Sequence, residues 1–467
     1  MKNKEAPVKY LPLFLPWIIA TLISGSSTVS YLVAWLGSFF IFFMSYSGSM
    51  KPLPDDLPIS RQIMRPIFLV QIIFAGYMCC TSIFYVMNIY GYHNFQKIYA
   101  VVDENQLALA AACQRYYCLG HASFTTGLLC FIDYRFKKNY ALAKLDFADL
   151  LFWAAVISFP LSIIFLVIPG LSQFSNQFTS LSFIGCTVAL AFAIPRKKIL
   201  NTLICLFLYI SNFLTALTSG FKEPILLSVL VLGIFLYPTY KRMVLITFVP
   251  AILFLFLVLP TYAAVFRQSA WTGAENAEEA KSEALDAALN KESVADETTW
   301  DFLVYRLSEI DMFTQFIETT PAKIHYYNFD LIKQAFIVLV PRIFWSSKPN
   351  TEQLVMQRVY AAGVINPNST VSAKPAYVVD AYLSGGAVGV FLSLFIYGAI
   401  VQLISLRAES LFGGYEIGTA LIFSGLFQIF WRGLSFEFIF NNVFWGYCTM
   451  ILIADILRNK NILKEVD

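Results

Sequence analysis

The feature that most constrains this chain is the repetition of apolar segments about 20 residues long, separated by short polar connections. A stretch of that length is what an α-helix needs to cross the hydrocarbon core of a membrane. Hydrophobic residues make up 58% of the 467 residues and charged residues 13%, whereas soluble domains carry about 25% charged residues. The sequence therefore predicts an all-α polytopic membrane protein and excludes an ordinary soluble globular protein.

The apolar segments predict about twelve transmembrane helices in one bundle. The segment 224–238 is short for a full crossing, so 200–238 is alternatively a re-entrant pair, which leaves the sidedness of the other spans unchanged. The predicted spans are 10–26, 29–46, 66–90, 106–132, 149–169, 173–194, 200–218, 224–238, 243–265, 385–406, 414–431 and 437–457.

One long polar interruption divides the chain into three regions. Residues 1–265 form an N-terminal bundle of about nine spans, 266–384 form a large loop, and 385–467 hold the last helices and a tail. Inside the loop, Ala274–Glu297 is rich in alanine and acidic residues, which is typical of a solvated helix or a linker. The apolar spacing in Trp300–Thr319 predicts a helix that lies on the bundle.

Short-loop cations predict the orientation, because Lys and Arg accumulate on the cytoplasmic side of a membrane protein. The connections near Arg61, Arg135, Arg196 and Arg407 carry cations, whereas the short connections near 27 and 170 carry none. Both termini are therefore predicted to be cytoplasmic and the large loop to be periplasmic or extracellular. The predicted location is the cytoplasmic (inner) membrane, with the large loop in the periplasm of a Gram-negative cell or on the outer face generally.

Cations gather on the predicted outer side, where they suit a phosphate-bearing substrate. Guanidinium groups bind phosphate oxygens through paired hydrogen bonds and stay charged at any accessible pH. Arg115 lies within a predicted span, where charge is expensive and tends to be functional. Pairing with carboxylates or lipid headgroups is the structural alternative for each of them. The outer cations are Arg267, Arg306, Arg342, Lys348, Arg358, Lys374 and Arg432, with Lys222 at the tip of the 200–238 hairpin.

Few residues on the predicted outer side are suited to act as a base. Asp380 and Glu437 each lie at the mouth of the bundle, just before a span, and His325 and Asp311 lie in the loop. The sequence has no P-loop, no nucleotide-binding glycine pattern and no DxD-like pair in the loop, so no cofactor and no metal are expected. Trp345 and Tyr382 are aromatic residues that suit a path for a glycan, although an interfacial aromatic belt explains them equally well.

Three short motifs resemble the Wzy-type oligosaccharide repeat-unit polymerases, which are relatives of the O-antigen ligases. The likeness covers about residues 200–400, and Lys222 stands where the family commonly has arginine. The motifs are Thr218-Ser219-Gly220-Phe221-Lys222-Glu223, Pro341-Arg342-Ile343-Phe344-Trp345 followed by Lys348-Pro349, and Asp380-Ala381-Tyr382-Leu383-Ser384-Gly385-Gly386.

The resemblance implies a metal-independent glycosyltransferase that polymerises oligosaccharide repeat units on the outer face of the membrane. The product would be an O-antigen, as in lipopolysaccharide, a capsule or an exopolysaccharide. The donor would be a glycan on undecaprenyl diphosphate, and a flippase and a chain-length regulator are the implied protein partners; no nucleic acid is expected.

The predicted site divides into two groups. The predicted catalytic residues are Arg342, Arg432, Asp380, Glu437 and His325, and the predicted substrate ligands are Arg306, Lys348, Arg267, Lys222, Arg115, Trp345 and Tyr382.

Three other functions remain open at the level of the sequence. A ligase of the same superfamily would pass the glycan to a different acceptor. A transporter or flippase for a lipid-linked sugar would carry polar residues deep in several spans. A structural partner of a synthesis complex would have no activity of its own.

Overall fold

The computed structural model describes residues 7–134, 140–143, 146–168, 172–218, 223–271, 277–289, 299–342, 344–368 and 372–466. The described chain is almost entirely helical, which confirms the predicted all-α class. A 3-10 helix, Pro7–Phe14, precedes the first α-helix. The helices of the N-terminal region are α1 Leu15–Leu22, α2 Ser27–Tyr46, α3 Leu69–Ala75, α4 Ile83–Ile89, α5 Glu104–Phe131, α6 Phe147–Val167, α7 Ser172–Ala193, α8 Ile199–Thr218 and α9 Glu223–Trp271.

The second half of the chain begins with shorter helices and ends with two long ones. They are α10 Ala277–Leu289, α11 Ile310–Thr319, α12 Asp330–Leu339, α13 Thr351–Ala361, α14 Tyr377–Leu411, α15 Ser424–Leu426, α16 Ile429–Arg432 and α17 Phe436–Asn459. The described chain also contains π-helical segments, at Gly76–Cys80, Phe302–Arg306 and Glu416–Phe423, and a 3-10 turn at Ile59–Arg61.

Within the described residues, seven helices are long and apolar enough to cross a membrane. They are Ser27–Tyr46, Leu69–Ile89, Phe147–Phe165, Ile199–Thr218, Pro224–Phe266, Tyr377–Leu411 and Phe436–Asn459. Shorter apolar helices cover Val8–Leu22, Gln177–Ala193 and Glu416–Leu426. The larger count of twelve spans stays a prediction.

Helix α9 covers two of the predicted spans, 224–238 and 243–265. The backbone leaves the helical region at Tyr240, with φ −122° and ψ 43°, so α9 consists of two helices joined by a kink. Pro238 precedes the kink by two residues, and a proline within a helix removes a backbone donor and bends the helix. The kink therefore falls between the two apolar segments that the sequence distinguishes.

The centre of the bundle is the crossing of α5 and α14. A Cβ atom added to Gly127 would lie 2.2 Å from the carbonyl oxygen of Phe395, and one added to Gly398 would lie 2.1 Å from that of Phe124. Glycine lets helix backbones approach closely, as is common between helices in membranes. The two helices consequently pack with their backbones in contact at this crossing.

Helix α14 is interrupted near its start. Gly386 has φ 59° and ψ −137°, a conformation that is essentially restricted to glycine. The short segment Tyr377–Leu383 before the break is buried apart from a few per cent of its surface. The longer segment after the break runs on to Leu411 and corresponds to the predicted span 385–406.

The polar interruption in the sequence contains short helices that pack on the bundle. In α11, Ile310, Phe313 and Phe316 are buried, and Phe313 lies against Tyr117 of α5 with ring centroids 5.5 Å apart. The described part of the predicted acidic segment is α10, in which Ala284 and Ala288 pack against the end of α9. The face of the membrane on which this region lies stays a prediction.

Both described ends of the chain lie at the same end of the bundle. Strand β3, Tyr140–Leu142, pairs antiparallel with β4, Leu463–Glu465, and so joins the connection after α5 to the tail. Tyr10 donates a hydrogen bond to the carbonyl of Leu129, near the end of α5. We call this end the tail end. A second pair of short strands, β1 Tyr92–His93 and β2 Gln96–Lys97, lies beyond α4.

Candidate functional site

At the end of the bundle opposite the tail, three charged side chains form a buried cluster, the Arg358 cluster, made of Arg358, Asp380 and Glu437. Arg358 donates to Asp380 through Nε at 2.9 Å and Nη2 at 2.8 Å. It also donates to Glu437 through Nη1 and Nη2, both at 2.8 Å. The side chains are 2%, 0% and 0% exposed, respectively. One planar guanidinium therefore holds two carboxylates side by side.

Helix ends explain why the two carboxylates lie here. Asp380 and Glu437 lie in the first turns of α14 and α17, where the helix dipole favours negative charge. Asp380 Oδ2 also accepts the backbone N–H of Phe436 at 2.9 Å, so a residue of one helix caps the start of another. Arg358 belongs to α13. Its bonds to the two carboxylates therefore connect the starts of α14 and α17 to the short helices that lie between α10 and α14 in the chain.

Burial and the two neighbouring carboxylates have opposite effects on the pKa of Arg358. Burial lowers the pKa of the guanidinium, but Asp380 and Glu437 outweigh burial and raise it above its ordinary value. Arg358 is thus charged at any accessible pH. With both carboxylates ionised, the cluster would carry one positive and two negative charges. The backbone N–H of Phe436 then helps to stabilise the excess negative charge by its hydrogen bond to Asp380.

Beside the Arg358 cluster lies a cavity of about 450 Å³, which we call the polar cavity. Helices α7, α8, α9 and α17 and the segment around α15 and α16 supply its wall. Seven of the 16 lining residues carry amides or hydroxyls, two are cations and seven are apolar. The lining residues are Gln177, Thr179, Ser180, Phe183, Asn212, Thr215, Ala216, Pro224, Lys374, Leu426, Gln428, Ile429, Arg432, Leu434, Phe438 and Asn442.

Short structural elements position both cations of the polar cavity. Arg432 ends α16, which stops at Gly433 in the left-handed conformation, φ 58° and ψ 42°. Gly433 also packs against Phe74, whose ring carbon would lie 2.4 Å from an added Cβ. Lys374 places its Nζ 4.7 Å from the centroid of the Phe438 ring, a cation–π distance. The Arg358 cluster fixes Glu437, the residue before Phe438, and therefore braces this wall.

The cavity also contains buried amides. Gln177 is 2% exposed, and its Nε2 donates to the carbonyl of Asn442 at 3.3 Å while its Oε1 has no hydrogen-bond partner among the described residues. Asn212 donates to Ser182 and to the carbonyl of Leu208. Amide groups within apolar helices can offer both donors and acceptors to a bound polar molecule.

The structure distributes the predicted catalytic residues over three places. Asp380 and Glu437 lie together in the Arg358 cluster, and Arg432 lies in the adjacent polar cavity. Arg342 and His325 are exposed and line neither described cavity. Their catalytic roles stay predictions.

Several predicted substrate ligands have defined partners in the structure. Lys348 is 6% exposed and its Nζ donates to the carbonyls of Val338 and Val340, at 3.0 and 2.7 Å, so it caps the end of α12. Trp345 donates to Ser347.

Tyr382 is buried and donates to the carbonyl of Thr320 at 2.6 Å. Arg115 is half-buried and donates to Ser30 Oγ at 2.9 Å. Arg306 is exposed at the end of its π-helical segment. Lys222 lies outside the described residues, and so does the side chain of Arg267.

Sequence reasoning named Arg358 and Lys374 among the cations without giving either a role, and it missed the amides of the cavity. Isolated amides within apolar helices, such as Asn212 and Gln177, were the available signal. Among the described residues, no group of three or more His, Cys, Asp or Glu side chains is placed to hold a metal ion.

A second buried arginine lies at the tail end and forms the Arg65 cluster with Asp56 and Glu409. Arg65 donates to both carboxylates through paired hydrogen bonds of 2.6 to 3.0 Å. Its guanidinium also lies 3.7 Å from the ring centroid of Tyr134. Hydrogen bonding to Arg65 lowers the pKa of Asp56 below its usual value.

The fold and the cavity define a class: an all-α protein with helices suited to a membrane and a cationic, amide-lined cavity at one end of the bundle. The chain belongs to the family described as a domain of unknown function, DUF8712, whose sequence profile matches residues 15–465. No curated protein matches the chain. No solved structure matches it either.

Proposed function

We propose that the protein is a membrane glycosyltransferase that polymerises oligosaccharide repeat units carried on polyprenyl diphosphate. The observation that supports this most is the polar cavity, because it combines two cations with seven amide and hydroxyl side chains. Its volume, about 450 Å³, lies within the range of about 300–1,000 Å³ that is common for small-molecule sites.

Arg432 and Lys374 are assigned to the diphosphate. In glycosyl transfer from a polyprenyl diphosphate, negative charge develops on the leaving phosphate as the bond to the sugar breaks. Cations placed in advance at that position stabilise the transition state more than the ground state. Arg432 offers paired hydrogen bonds, and Lys374 acts as a second, more compact positive charge in the same lining.

The amides and hydroxyls are assigned to the sugars. Sugar hydroxyls both donate and accept hydrogen bonds, and Gln177, Asn212, Gln428 and Asn442 offer both functions in one wall. Apolar side chains on the outer surfaces of α8 and α9 are exposed, such as Phe207 and Phe254. These surfaces suit the bilayer and the prenyl chains of donor and acceptor.

Asp380 and Glu437 are assigned to positioning. All four of their carboxylate oxygens accept hydrogen bonds from Arg358, so the two groups hold the start of α17 beside Arg432. The alternative role, deprotonation of the acceptor hydroxyl, requires one carboxylate to leave this arrangement.

The test uses variants with Arg432→Ala or Lys374→Ala, expressed at wild-type level in a strain that lacks the gene. We expect loss of polymer and accumulation of single repeat units on the lipid, with a rate lowered by about 100-fold or more in a reconstituted assay. Lys333→Ala removes an exposed cation far in sequence from the cavity and serves as control. Full-length polymer made by both cavity variants would refute the assignment.

Reconstitution with purified lipid-linked repeat unit separates this function from the ligase. A polymerase extends the repeat unit when added alone. A ligase leaves single repeat units unextended, and its deletion strain accumulates long polymer that is not attached to its acceptor.

A second candidate function is transport of a lipid-linked sugar across the membrane. The observation in its favour is a buried polar group of residues between α2, α3 and α5. Gln71 Nε2 lies 3.1 Å from Ser45 Oγ, 3.1 Å from His121 Nε2 and 3.2 Å from Thr125 Oγ1, and all four residues are fully buried. Movement of labelled lipid across proteoliposomes without extension would favour this candidate.

A further inference from the structure

A second cavity, of about 270 Å³, lies at the tail end of the bundle, and we call it the tail-end cavity. Arg61, Arg196 and Glu416 contribute charge to its lining, and Ser60 and Thr239 contribute hydroxyls. The rest of the wall is apolar and includes Phe192, Ile234 and Phe235. Guanidiniums, a carboxylate and an apolar wall thus meet in one space.

The tail-end cavity and the polar cavity are separate sites on the same helix. Helix α7 contributes Gln177 to the polar cavity and Phe192 to the tail-end cavity. At about 1.5 Å per residue the two positions are about 22 Å apart along the helix. That separation approaches the thickness of a hydrocarbon core, so the two cavities lie toward opposite ends of the bundle.

Charge of both signs in the tail-end cavity is available to a ligand. Arg61 and Glu416 are exposed, and within the described part of the chain neither forms an ion pair. Arg196 donates Nη1 to Asp146 at 3.0 Å, with a side chain that is 38% exposed. Its other nitrogens can still meet a second acceptor, because a guanidinium carries five N–H donors.

We propose that the tail-end cavity binds the headgroup of a zwitterionic membrane phospholipid, with its phosphate at Arg61 and Arg196 and its amine at Glu416. Guanidinium groups are matched to phosphate oxygens in geometry and charge. The carboxylate of Glu416, which forms no ion pair with another described residue, distinguishes this ligand from a purely anionic headgroup, which Glu416 would repel.

The size and surroundings of the cavity fit a headgroup whose chains lie outside. Its volume of about 270 Å³ is below the range of about 300–1,000 Å³ for drug-sized ligands. Leu200 and Met243, each four residues along the chain from a lining residue, are 69% and 64% exposed. These apolar surfaces can receive the acyl chains.

A bound headgroup would also stabilise the tail end through Tyr415. This residue lines the cavity, accepts the backbone N–H of Met64 at 3.2 Å, and has its ring centroid 5.5 Å from the guanidinium of Arg65. The headgroup therefore contacts a residue that packs on the Arg65 cluster. Since a ligand that binds only the folded state stabilises it, lipid binding should raise the Tm.

The experiment uses the full-length protein, purified in detergent and stripped of lipid. Phosphatidylethanolamine, phosphatidylglycerol or inorganic phosphate is added, and binding is followed by native mass spectrometry and by the Tm. We expect phosphatidylethanolamine to bind best and to raise the Tm. Arg61→Ala should weaken its binding about tenfold, the loss of one charge-assisted hydrogen bond at an exposed site. Glu416→Gln should remove the preference for phosphatidylethanolamine over phosphatidylglycerol.

Arg407→Ala, which removes an exposed arginine that does not line the cavity, is the matched control, and Arg61→Lys retains the charge if the alanine variant does not fold. The proposal would be overturned if a folded Arg61→Ala variant bound phosphatidylethanolamine as tightly as wild type does. A wild type that binds both lipids equally would also overturn it, as would inorganic phosphate that stabilises as well as lipid does, which would indicate a soluble anion site.

Discussion

Replacing Arg358 by alanine should destabilise the end of the bundle that holds the polar cavity. The substitution removes four hydrogen bonds of 2.8 to 2.9 Å and leaves Asp380 and Glu437 buried without their cation. Breaking a buried ion pair by removing one partner costs about 3–5 kcal/mol. Because both carboxylates are 0% exposed, we expect a loss in the upper part of that range.

The loss converts into a measurable shift of the Tm. At about 2.1 cal/mol/K per residue, the unfolding entropy of 467 residues is about 1 kcal/mol/K. A loss of about 3–5 kcal/mol then lowers the Tm by about 3–5 °C. The assay is thermal unfolding of the detergent-purified variant, followed by tryptophan fluorescence and by the fraction that remains monodisperse.

Neutralising the whole cluster separates charge from packing. Arg358→Met combined with Asp380→Leu and Glu437→Met should recover much of the lost stability, because a buried ion cluster can be replaced by well-packed hydrophobic residues of similar volume at little cost. This reasoning would be refuted if Arg358→Ala had the Tm of wild type. It would also be refuted if the triple variant lost as much stability as the three single variants lose in total. A triple variant that is stable but lacks the proposed transferase activity would show that the charged groups of the cluster contribute to that activity as well as to stability.

Three further substitutions test the positioning of α16, the Arg65 cluster and the central helix crossing. Gly433→Ala should cost about 2–4 kcal/mol, because it combines a left-handed backbone with a clash against Phe74; its Tm and its polymer yield are both measured. Asp56→Asn should lower the free energy of unfolding at pH 7 by about 1 kcal/mol or less, and the Tm by a correspondingly small amount. Since Arg65 holds the pKa of Asp56 below its usual 3.8, that contribution is present above about pH 4 and is lost as the pH falls through the folded-state pKa, so the variant should show a flatter fall of Tm in acid. Gly398→Ala should cost about 1–3 kcal/mol by forcing the α5–α14 crossing apart, which the Tm reports.

Each of these substitutions has a matched control. Gly25→Ala adds a methyl group where nothing lies within 4 Å, and we expect its Tm to equal that of wild type. Asp55→Asn changes the neighbouring carboxylate, which forms no ion pair within the described chain. A wild-type Tm in Gly433→Ala or Gly398→Ala would contradict the packing argument for that glycine. The argument for Asp56 would be contradicted if the Tm of Asp56→Asn fell in acid as steeply as that of wild type.

The helices were predictable because lipid imposes a length and a composition on any segment that crosses it. Ser27–Tyr46 and Ile199–Thr218 match the predicted spans 29–46 and 200–218 to within two residues. The start of α14 was not predictable in the same way. Tyr377–Leu383 is buried by protein contacts, so its helical character extends beyond the apolar segment that hydropathy detects.

Only part of the candidate site could be predicted, for a reason that lies in tertiary packing. Asp380 and Glu437 were recognisable as carboxylates at the first turns of apolar helices. Their partner Arg358 is 22 and 79 residues away in the chain, and no periodicity encodes that pairing. Lys348 shows the opposite case: its neighbours in sequence suggested a phosphate ligand, whereas its position after α12 allows it to satisfy the last carbonyls of that helix.

The Arg358 and Arg65 clusters together fix α14 at both of its ends. Each cluster holds one carboxylate of α14, Asp380 or Glu409, and each carboxylate receives a further donor, Phe436 N–H for Asp380 and Thr419 Oγ1 for Glu409. A second carboxylate in each cluster leaves negative charge in excess, and buried charge is tolerated only when it is paired and hydrogen-bonded. The register of α14 against its neighbours is therefore set by directional bonds as well as by apolar packing. Among the described residues, no buried ion pair includes α7, α8 or α9, although these helices form one wall of each cavity. That wall is held mainly by non-directional packing, so we expect it to be the side that adjusts when a ligand enters.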